Sequence, residues 1–273
     1  MDQYAVMGNP IAHSLSPLIH TEFARQTHQN LNYQAIEVEP GRFAEAVSTF
    51  FVQGGKGLNV TVPFKQEAWE LAQTRSPDAE IAGAVNTLLQ DSSGKLQGHN
   101  TDGIGLVRDI KDNLGTSLQG KTVLILGAGG ATRGILLPIL REQPARVIIA
   151  NRTASKAELL AADFSQYGPV EARALQDLDD LQADWLINAT SASLQGELPP
   201  LSASVIRADS ACYDLMYSKR NSKQGTPFCA WAQNNGAALV ADGLGMLVEQ
   251  AAEAFYLWRG LRPQTRPVIS ALR

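Results

Sequence analysis

Residues 121–134, Lys-Thr-Val-Leu-Ile-Leu-Gly-Ala-Gly-Gly-Ala-Thr-Arg-Gly, constrain what this chain can fold into more than any other stretch. An apolar run enters a glycine cluster that opens directly onto an apolar-periodic helix, which specifies a strand, a tight turn and a helix N-terminus in that order. Gly127, Gly129 and Gly130, with Ala128 and Ala131 among them, let a pyrophosphate approach bare backbone. The free N–H groups and the positive end of the helix dipole favour an anion there. The third position of the glycine fingerprint holds Thr132 in place of Gly or Ala. A second apolar run at 146–150 follows at the spacing of one βαβ unit, and this context separates the turn from an ordinary one and points to a dinucleotide.

The end of that second strand bears on which dinucleotide. An NAD site places Asp or Glu there to accept from the ribose 2′-OH, whereas this chain reads Asn151-Arg152-Thr153-Ala-Ser-Lys156. Arg152 can stack on adenine and pair with a 2′-phosphate, and Asn151, Thr153 and Lys156 can add donors. NADP is therefore expected. The alternative is that Thr153 only caps the helix expected over 155–164 and Arg152 is a solvated charge.

At 273 residues and 44% hydrophobic, the chain is long enough for two domains with large cores. Its net charge of −4 supplies no basic footprint for nucleic acid or an anionic membrane surface. Neither partner is expected. Cys212 and Cys229 sit in apolar segments without metal-ligand spacing, and the four histidines are scattered, so no metal is expected and the thiols read as reduced and buried. With no signal-peptide pattern at the N-terminus and no run long enough to span a bilayer, the expected location is the cytoplasm.

Strand patterns at 4–7, 33–38, 57–62 and 84–90 alternate with helical patterns at 17–26, 42–52 and 66–73, giving βα alternation and a mostly parallel sheet. A helix at 103–113 leads through a Gly/Ser-rich connection into the dinucleotide unit, which continues with strands at 185–189, 211–215 and 238–241. The helices at 244–259 and after Pro263 come too late for another βα unit and are expected to return to the first domain. Residues 218–225 read as a polar, mobile surface loop.

Polar residues gather at the C-terminal ends of the first domain's strands, where open α/β sheets hold ligands. Ser14 and Ser16 flank Leu15 just before a helix; Ser16 reads equally as an N-cap with Pro17 at the first helical position, while the two hydroxyls together could hold a carboxylate. Asn59 and Thr61 share one strand face, and Lys65 stands in the first turn of the following helix, where the dipole disfavours a cation. A residue placed against its local preference points to function; the alternative is a solvated lysine. Asn86 offers a donor and an acceptor together, as hydroxyl recognition requires. Asp102 precedes a helix and reads either as its N-cap or as the ionised partner that orients a lysine.

Taken in order, Ser14-Leu-Ser16-Pro, Asn59-Val-Thr-Val-Pro-Phe-Lys65, Gly83-Ala-Val-Asn86-Thr, Asn100-Thr-Asp102-Gly, Gly127-Ala-Gly-Gly-Ala, Asn151-Arg-Thr and Ala241-Asp-Gly-Leu-Gly-Met246 resemble the shikimate dehydrogenase family over nearly the whole chain. The resemblance implies an α/β architecture with an N-terminal α/β substrate domain (1–103), a Rossmann-like doubly wound NADP domain (104–242) and C-terminal helices (243–273). The implied activity is the reversible NADPH-dependent reduction of 3-dehydroshikimate to shikimate in aromatic amino acid precursor biosynthesis, by a monomer or homodimer. Lys65 and Asp102 would form the catalytic pair. Ser14 and Ser16 would bind the carboxylate, Asn59, Thr61, Asn86 and Gln250 the ring hydroxyls, Tyr217 would contact substrate, and Leu215 and Gly243 would border the nicotinamide. The chain departs from the family pattern at 188–194, which lacks a frequent glycine, at Leu215, where methionine is common, and in the length of the loop after Tyr217. A quinate-using paralogue with NAD and a non-catalytic metabolite sensor are the remaining readings; retention of both Lys65 and Asp102 argues against the sensor, and Asn151-Arg152 against NAD.

Overall fold

The computed structural model describes residues 1–179, 181–192, 196–218 and 225–273. Ser193 and Leu194 of the glycine-poor segment, and 219–224 of the expected surface loop, lie outside the described residues. The chain divides into two compact units, one of residues 1–105 with 247–272 and one of residues 106–246 with Arg273.

In the first unit β1 (Asp2–Gly8), α1 (Ser16–Gln26), β2 (Leu31–Glu37), α2 (Phe43–Val52), β3 (Gly55–Val60) and α3 (Lys65–Leu71) alternate as the sequence leads one to expect. β1 pairs in parallel with β2 and β3. It is covered on both faces: Ala5 and Met7 join a cluster with Phe43, Phe51 and Phe64, while Tyr4 and Val6 pack with Ile11 and Tyr33. Beyond α3 the alternation fails. A two-residue strand β4 (Thr74–Arg75) and a short helix α4 (Pro77–Ala82) precede β5 (Thr87–Gln90) and β6 (Leu96–His99), and the sheet order is β2-β1-β3-β5-β6-β4. β5 runs antiparallel to both β3 and β6, so the sheet is mixed. The expected strand over 84–90 begins only at Thr87, because Gly83 (φ 60°) ends α4 in a left-handed turn and residues 84–86 climb out of it.

In the second unit β7 (Thr122–Leu126), α6 (Gly130–Arg141), β8 (Arg146–Asn151), α7 (Ala154–Phe164), β9 (Val170–Ala174), β10 (Ala183–Asn188), β11 (Ile206–Asp214), α8 (Pro227–Asn234) and β12 (Leu239–Asp242) build an all-parallel sheet ordered β12-β11-β10-β7-β8-β9. Counted within the unit this is 3-2-1-4-5-6, the doubly wound order whose switch point lies beside its first strand. Glycine turn 127–130 leaves that strand at its carboxyl end.

The chain passes between units at 105/106 and 246/247 inside helices, α5 (Asp102–Arg108) and α9 (Leu244–Arg259), and α10 (Arg266–Leu272) ends the first unit just before Arg273. The helix expected over 103–113 is α-helical only to Arg108 and continues as a π-helical turn over Asp109–Asn113. There Asp109, 2% exposed, accepts from the Tyr213 hydroxyl at 2.6 Å and from Asn113 at 2.9 Å, and burial raises its carboxyl above the usual range. Any side chain at Gly245 would collide with that carboxylate.

His20 on α1 is 1% exposed and stacks on Tyr33 at 4.1 Å, and among the described residues neither ring nitrogen meets another group in hydrogen-bonding geometry. Burial pushes its pKa from 6.5 down to about 3, so the folded chain keeps the imidazole neutral. The unfolded chain takes up that proton near pH 6.5, so this residue costs little above pH 6.5 and destabilises the fold progressively as pH falls toward 3. Unfolding by urea should lose roughly 2 kcal/mol between pH 6.5 and 5 through His20. His20→Phe should flatten that slope; equal slopes in the two proteins would rule the cause out.

Candidate active site

Lys65 opens α3 and points its ammonium at Asp102, the first residue of α5: Nζ lies 2.5 Å from Oδ2, with the two side chains 31% and 15% exposed. The lysine's backbone is fixed from both sides. Phe64, fully buried, stacks on Phe43 at 4.8 Å, and the Lys65 carbonyl accepts from the Val85 N–H at 2.9 Å. The N-cap alternative for Asp102 gives way to pairing, since Oδ1 accepts from Asn86 at 2.8 Å while Oδ2 takes the lysine.

Strand pairing explains why these groups meet. Asn59 on β3 faces Thr87 on β5, and Thr87 faces His99 on β6, so one row across the sheet delivers Asn86 and residues 100–102 to the same end. Asn86, 3% exposed, donates from Nδ2 to Asp102 and to Thr101 Oγ1 at 3.0 Å, and accepts at Oδ1 from the Thr101 N–H at 2.9 Å. Gln250 on α9 brings Oε1 within 3.4 Å of Asn86 Nδ2 and 3.3 Å of Thr101 Oγ1. Asn59 is 6% exposed and its amide is turned inward: it accepts from the Tyr33 hydroxyl at 2.7 Å and donates to the Asn86 carbonyl and to Thr87 Oγ1, each at 3.1 Å. Thr87, Thr101 and Tyr33 belong to this cluster without having been singled out in the sequence. The dipeptide Asn-Thr occurs at both 86–87 and 100–101, at strand ends, and that repetition was the available signal.

Ser14 and Thr61 are half-buried in the loops after β1 and β3, and Thr61 donates its N–H to Met7. Ser16 is not the N-cap of α1. Leu15 is already in the right-handed helical region (φ −83°, ψ −8°), so Ser16 is the first helical residue and its N–H turns back to Ser14 Oγ at 3.3 Å.

In the second unit Gly127 has φ +101° and its N–H donates to Ala150, binding the turn to β8. A side chain built on Gly129 or Gly130 would meet nothing within 4 Å, so the turn is open on the side a phosphate would approach. Ala128 is half-buried and Ala131 exposed on the same turn. Thr132, the fingerprint departure, is fully buried and donates its hydroxyl to the Gly127 carbonyl at 2.7 Å, fastening the turn to the helix. Asn151 donates to the Thr153 carbonyl at 2.9 Å and so shapes the loop that carries Arg152, which is exposed, as are Thr153 and Lys156. Thr153 occupies the capping position of α7 without a side-chain cap bond. Leu215, at the end of β11, and Gly243 are brought together: a side chain at Gly243 would strike the Leu215 carbonyl, and the Gly243 N–H donates to Met216 at 3.0 Å. Tyr217 is half-buried and burial raises its phenol.

Cys212 and Cys229 are free and buried, their thiols pushed up to about 12 and about 11 by burial. Among the described residues no group of three or more His, Cys, Asp or Glu side chains could hold a metal ion, and no helix is long and apolar enough to cross a membrane.

Three family models match the chain: a shikimate dehydrogenase substrate-binding domain over residues 6–88, a shikimate/quinate 5-dehydrogenase domain over 108–195, and a shikimate 5′-dehydrogenase C-terminal domain over 243–273. NADP(+)-dependent shikimate dehydrogenases of Methylococcus capsulatus and Hahella chejuensis are 56% and 57% identical to it, over 99% and 100% of this chain and 96% and 99% of theirs. The solved structure of shikimate 5-dehydrogenase from Thermus thermophilus, in complex with NADP(H) and shikimate, superposes with a TM-score of 0.86 at 33% identity, covering 100% of this chain and 99% of that one.

Proposed function

This chain belongs to the shikimate dehydrogenase family, and on that premise we propose that Lys65 and Asp102 carry its proton-transfer chemistry. It is an NADP-dependent oxidoreductase that interconverts 3-dehydroshikimate and shikimate. The residues present suit that cofactor. The open turn at Gly129 and Gly130 admits a pyrophosphate at the start of α6, exposed Arg152 with Thr153 and Lys156 suits a 2′-phosphate, and Leu215 with Gly243 forms a close-packed wall for the nicotinamide. NADP(H) held there would supply, or in the oxidative direction accept, the hydride that interconverts the substrate's carbonyl and alcohol.

Lys65 gives its proton to the substrate oxygen as that oxygen becomes an alkoxide, and takes it back in the oxidative direction by microscopic reversibility. Asp102 holds the ammonium in place, and Asn86 holds Asp102. Ser14 and Ser16 bind the substrate carboxylate; Thr61, Asn86 and Gln250 take the ring hydroxyls, and Tyr217 flanks the ring. Asn59 acts behind them, its amide directed at protein groups. The observation that carries this reading is the 2.5 Å Lys65–Asp102 contact braced by Asn86. The same reading takes the enzyme as a cytoplasmic monomer or homodimer, both of its thiols being free and buried.

Absorbance at the NADPH band tests the activity, with shikimate and quinate each offered with NADP and NAD. Shikimate with NADP should give the highest kcat/KM of the four; a preference for quinate or for NAD would replace the substrate or cofactor assignment.

A further inference from the structure

We propose that Thr87 is a positioning residue for the reaction, its hydroxyl locking the side-chain amides of Asn59 and Asn86 so that Asn86 presents NH2, not oxygen, to Asp102. The inference rests on the reading of Lys65 and Asp102 as the proton-transfer pair. Thr87 is fully buried at the first position of β5. Its hydroxyl accepts from Asn59 Nδ2 at 3.1 Å and donates to Asn86 Oδ1 at 3.0 Å. A hydroxyl has one proton to give, so accepting from Asn59 commits that proton to Asn86. The direction of the Asn59 amide is set in turn by the Tyr33 hydroxyl, which donates to Oδ1 and leaves Nδ2 facing Thr87.

The result is a one-way chain of donors. Tyr33 gives to Asn59, Asn59 to Thr87, Thr87 to Asn86, and Asn86 to Asp102, whose other oxygen receives Lys65. Every member before Asp102 is less than 9% exposed, so water cannot substitute for a lost link. An Asn86 amide flipped by 180° would set its oxygen against the Asp102 carboxylate. Three donors reach Oδ1 and oppose that flip: the Thr101 N–H at 2.9 Å, the Thr87 hydroxyl at 3.0 Å and the Thr101 hydroxyl at 3.2 Å. The Thr101 hydroxyl divides its one proton between Asn86 Oδ1 and Gln250 Oε1, whereas Thr87 gives its proton to Asn86, which makes Thr87 the side-chain donor to remove. By residue type Thr87 is also an ordinary β-branched strand residue, a role valine fills equally well.

Valine and serine separate the two roles. Thr87→Val keeps the shape and removes the hydroxyl; Thr87→Ser keeps the hydroxyl and leaves a methyl-sized void. Thr87→Val should lower kcat/KM for shikimate by about 5- to 30-fold, the range for one buried neutral hydrogen bond left unmade, with the Kd for NADP within about twofold of wild type. Thr87→Ser should melt lower than wild type yet keep kcat/KM within about threefold. Wild-type kcat/KM in Thr87→Val overturns the inference, as does a loss in Thr87→Ser equal to that in Thr87→Val, which would make the residue a packing group. If Thr87→Val does not fold, Thr87→Ala against Thr87→Ser gives the same comparison. Lys65→Ala measured alongside separates the two levels: a collapsed kcat there with an unaffected Thr87→Val rejects the role of Thr87 alone, whereas wild-type kcat in Lys65→Ala rejects the proton-transfer pair and this inference with it.

Discussion

Lys65→Ala lowers kcat by roughly 10²- to 10⁴-fold, the span that a well-placed general acid contributes, and changes KM for shikimate far less. The expectation follows from where the lysine's contacts lie. Its ammonium touches Asp102, while the residues assigned to the substrate carboxylate, Ser14 and Ser16, sit at the start of α1 and keep the bond from the Ser16 N–H to Ser14 Oγ without it. Ground-state binding therefore survives and proton transfer does not. The substitution also leaves the Asp102 carboxylate, 15% exposed, without its cation, so some loss of thermal stability accompanies the loss of rate. Steady-state kinetics well below the melting temperature of the variant separate the two effects. A kcat within a few-fold of wild type would show that another group, or solvent, protonates the developing alkoxide. A KM that rises in step with the fall in kcat/KM would make Lys65 a binding residue.

The sequence made individual site residues legible because each stood out against its own neighbours: a lysine in a first helical turn, an aspartate at a helix start, glycines between a strand and a helix. Their assembly was less legible. Lys65 and Asp102 are brought together by the antiparallel passage through β5 and β6; the β5–β6 reversal has a local signal in Asp91-Ser-Ser-Gly94, with Gly94 at φ +81°, whereas nothing local announces that β5 runs antiparallel to β3. β4 is two residues long and exists by virtue of its partner β6, so no periodicity could reveal it. Helices α4 and α8 were readable and were missed. Each opens with a hydroxyl residue before proline, and Ser76 and Thr226 do cap them, accepting from Ala79 and Cys229, each at 3.2 Å. Thr132 shows the opposite case. It looks like a defect in the glycine fingerprint, yet its hydroxyl bond to Gly127 exists only once the turn has formed. Residue type offers caps at Ser16 and Thr153 as alternatives to binding roles; the backbone puts the capping position of α1 at Leu15 and leaves Thr153 in its capping position without a side-chain bond.

Arg152→Ala raises KM for NADP by about 10- to 150-fold and leaves NAD kinetics nearly unchanged, because a charge-assisted contact to a phosphate is worth roughly 1.5–3 kcal/mol and NAD lacks that phosphate. The arginine is exposed at the end of β8, on a loop shaped by the Asn151–Thr153 bond. That bond uses the Asn151 side chain and the Thr153 carbonyl, so truncating Arg152 leaves the loop's own scaffold in place. The pyrophosphate turn is likewise untouched, since Gly127 is tied to Ala150 and Thr132 through groups that do not involve Arg152. Selectivity should therefore change without a general loss of dinucleotide binding. The salt dependence offers a second measure: KM for NADP in the wild type should rise with ionic strength, and the variant should show a shallower rise. An equal increase in KM for NADP and NAD would move Arg152 from the 2′-phosphate to the adenine face, where its guanidinium serves both cofactors alike, and the preference for NADP would then have to reside in Thr153 and Lys156.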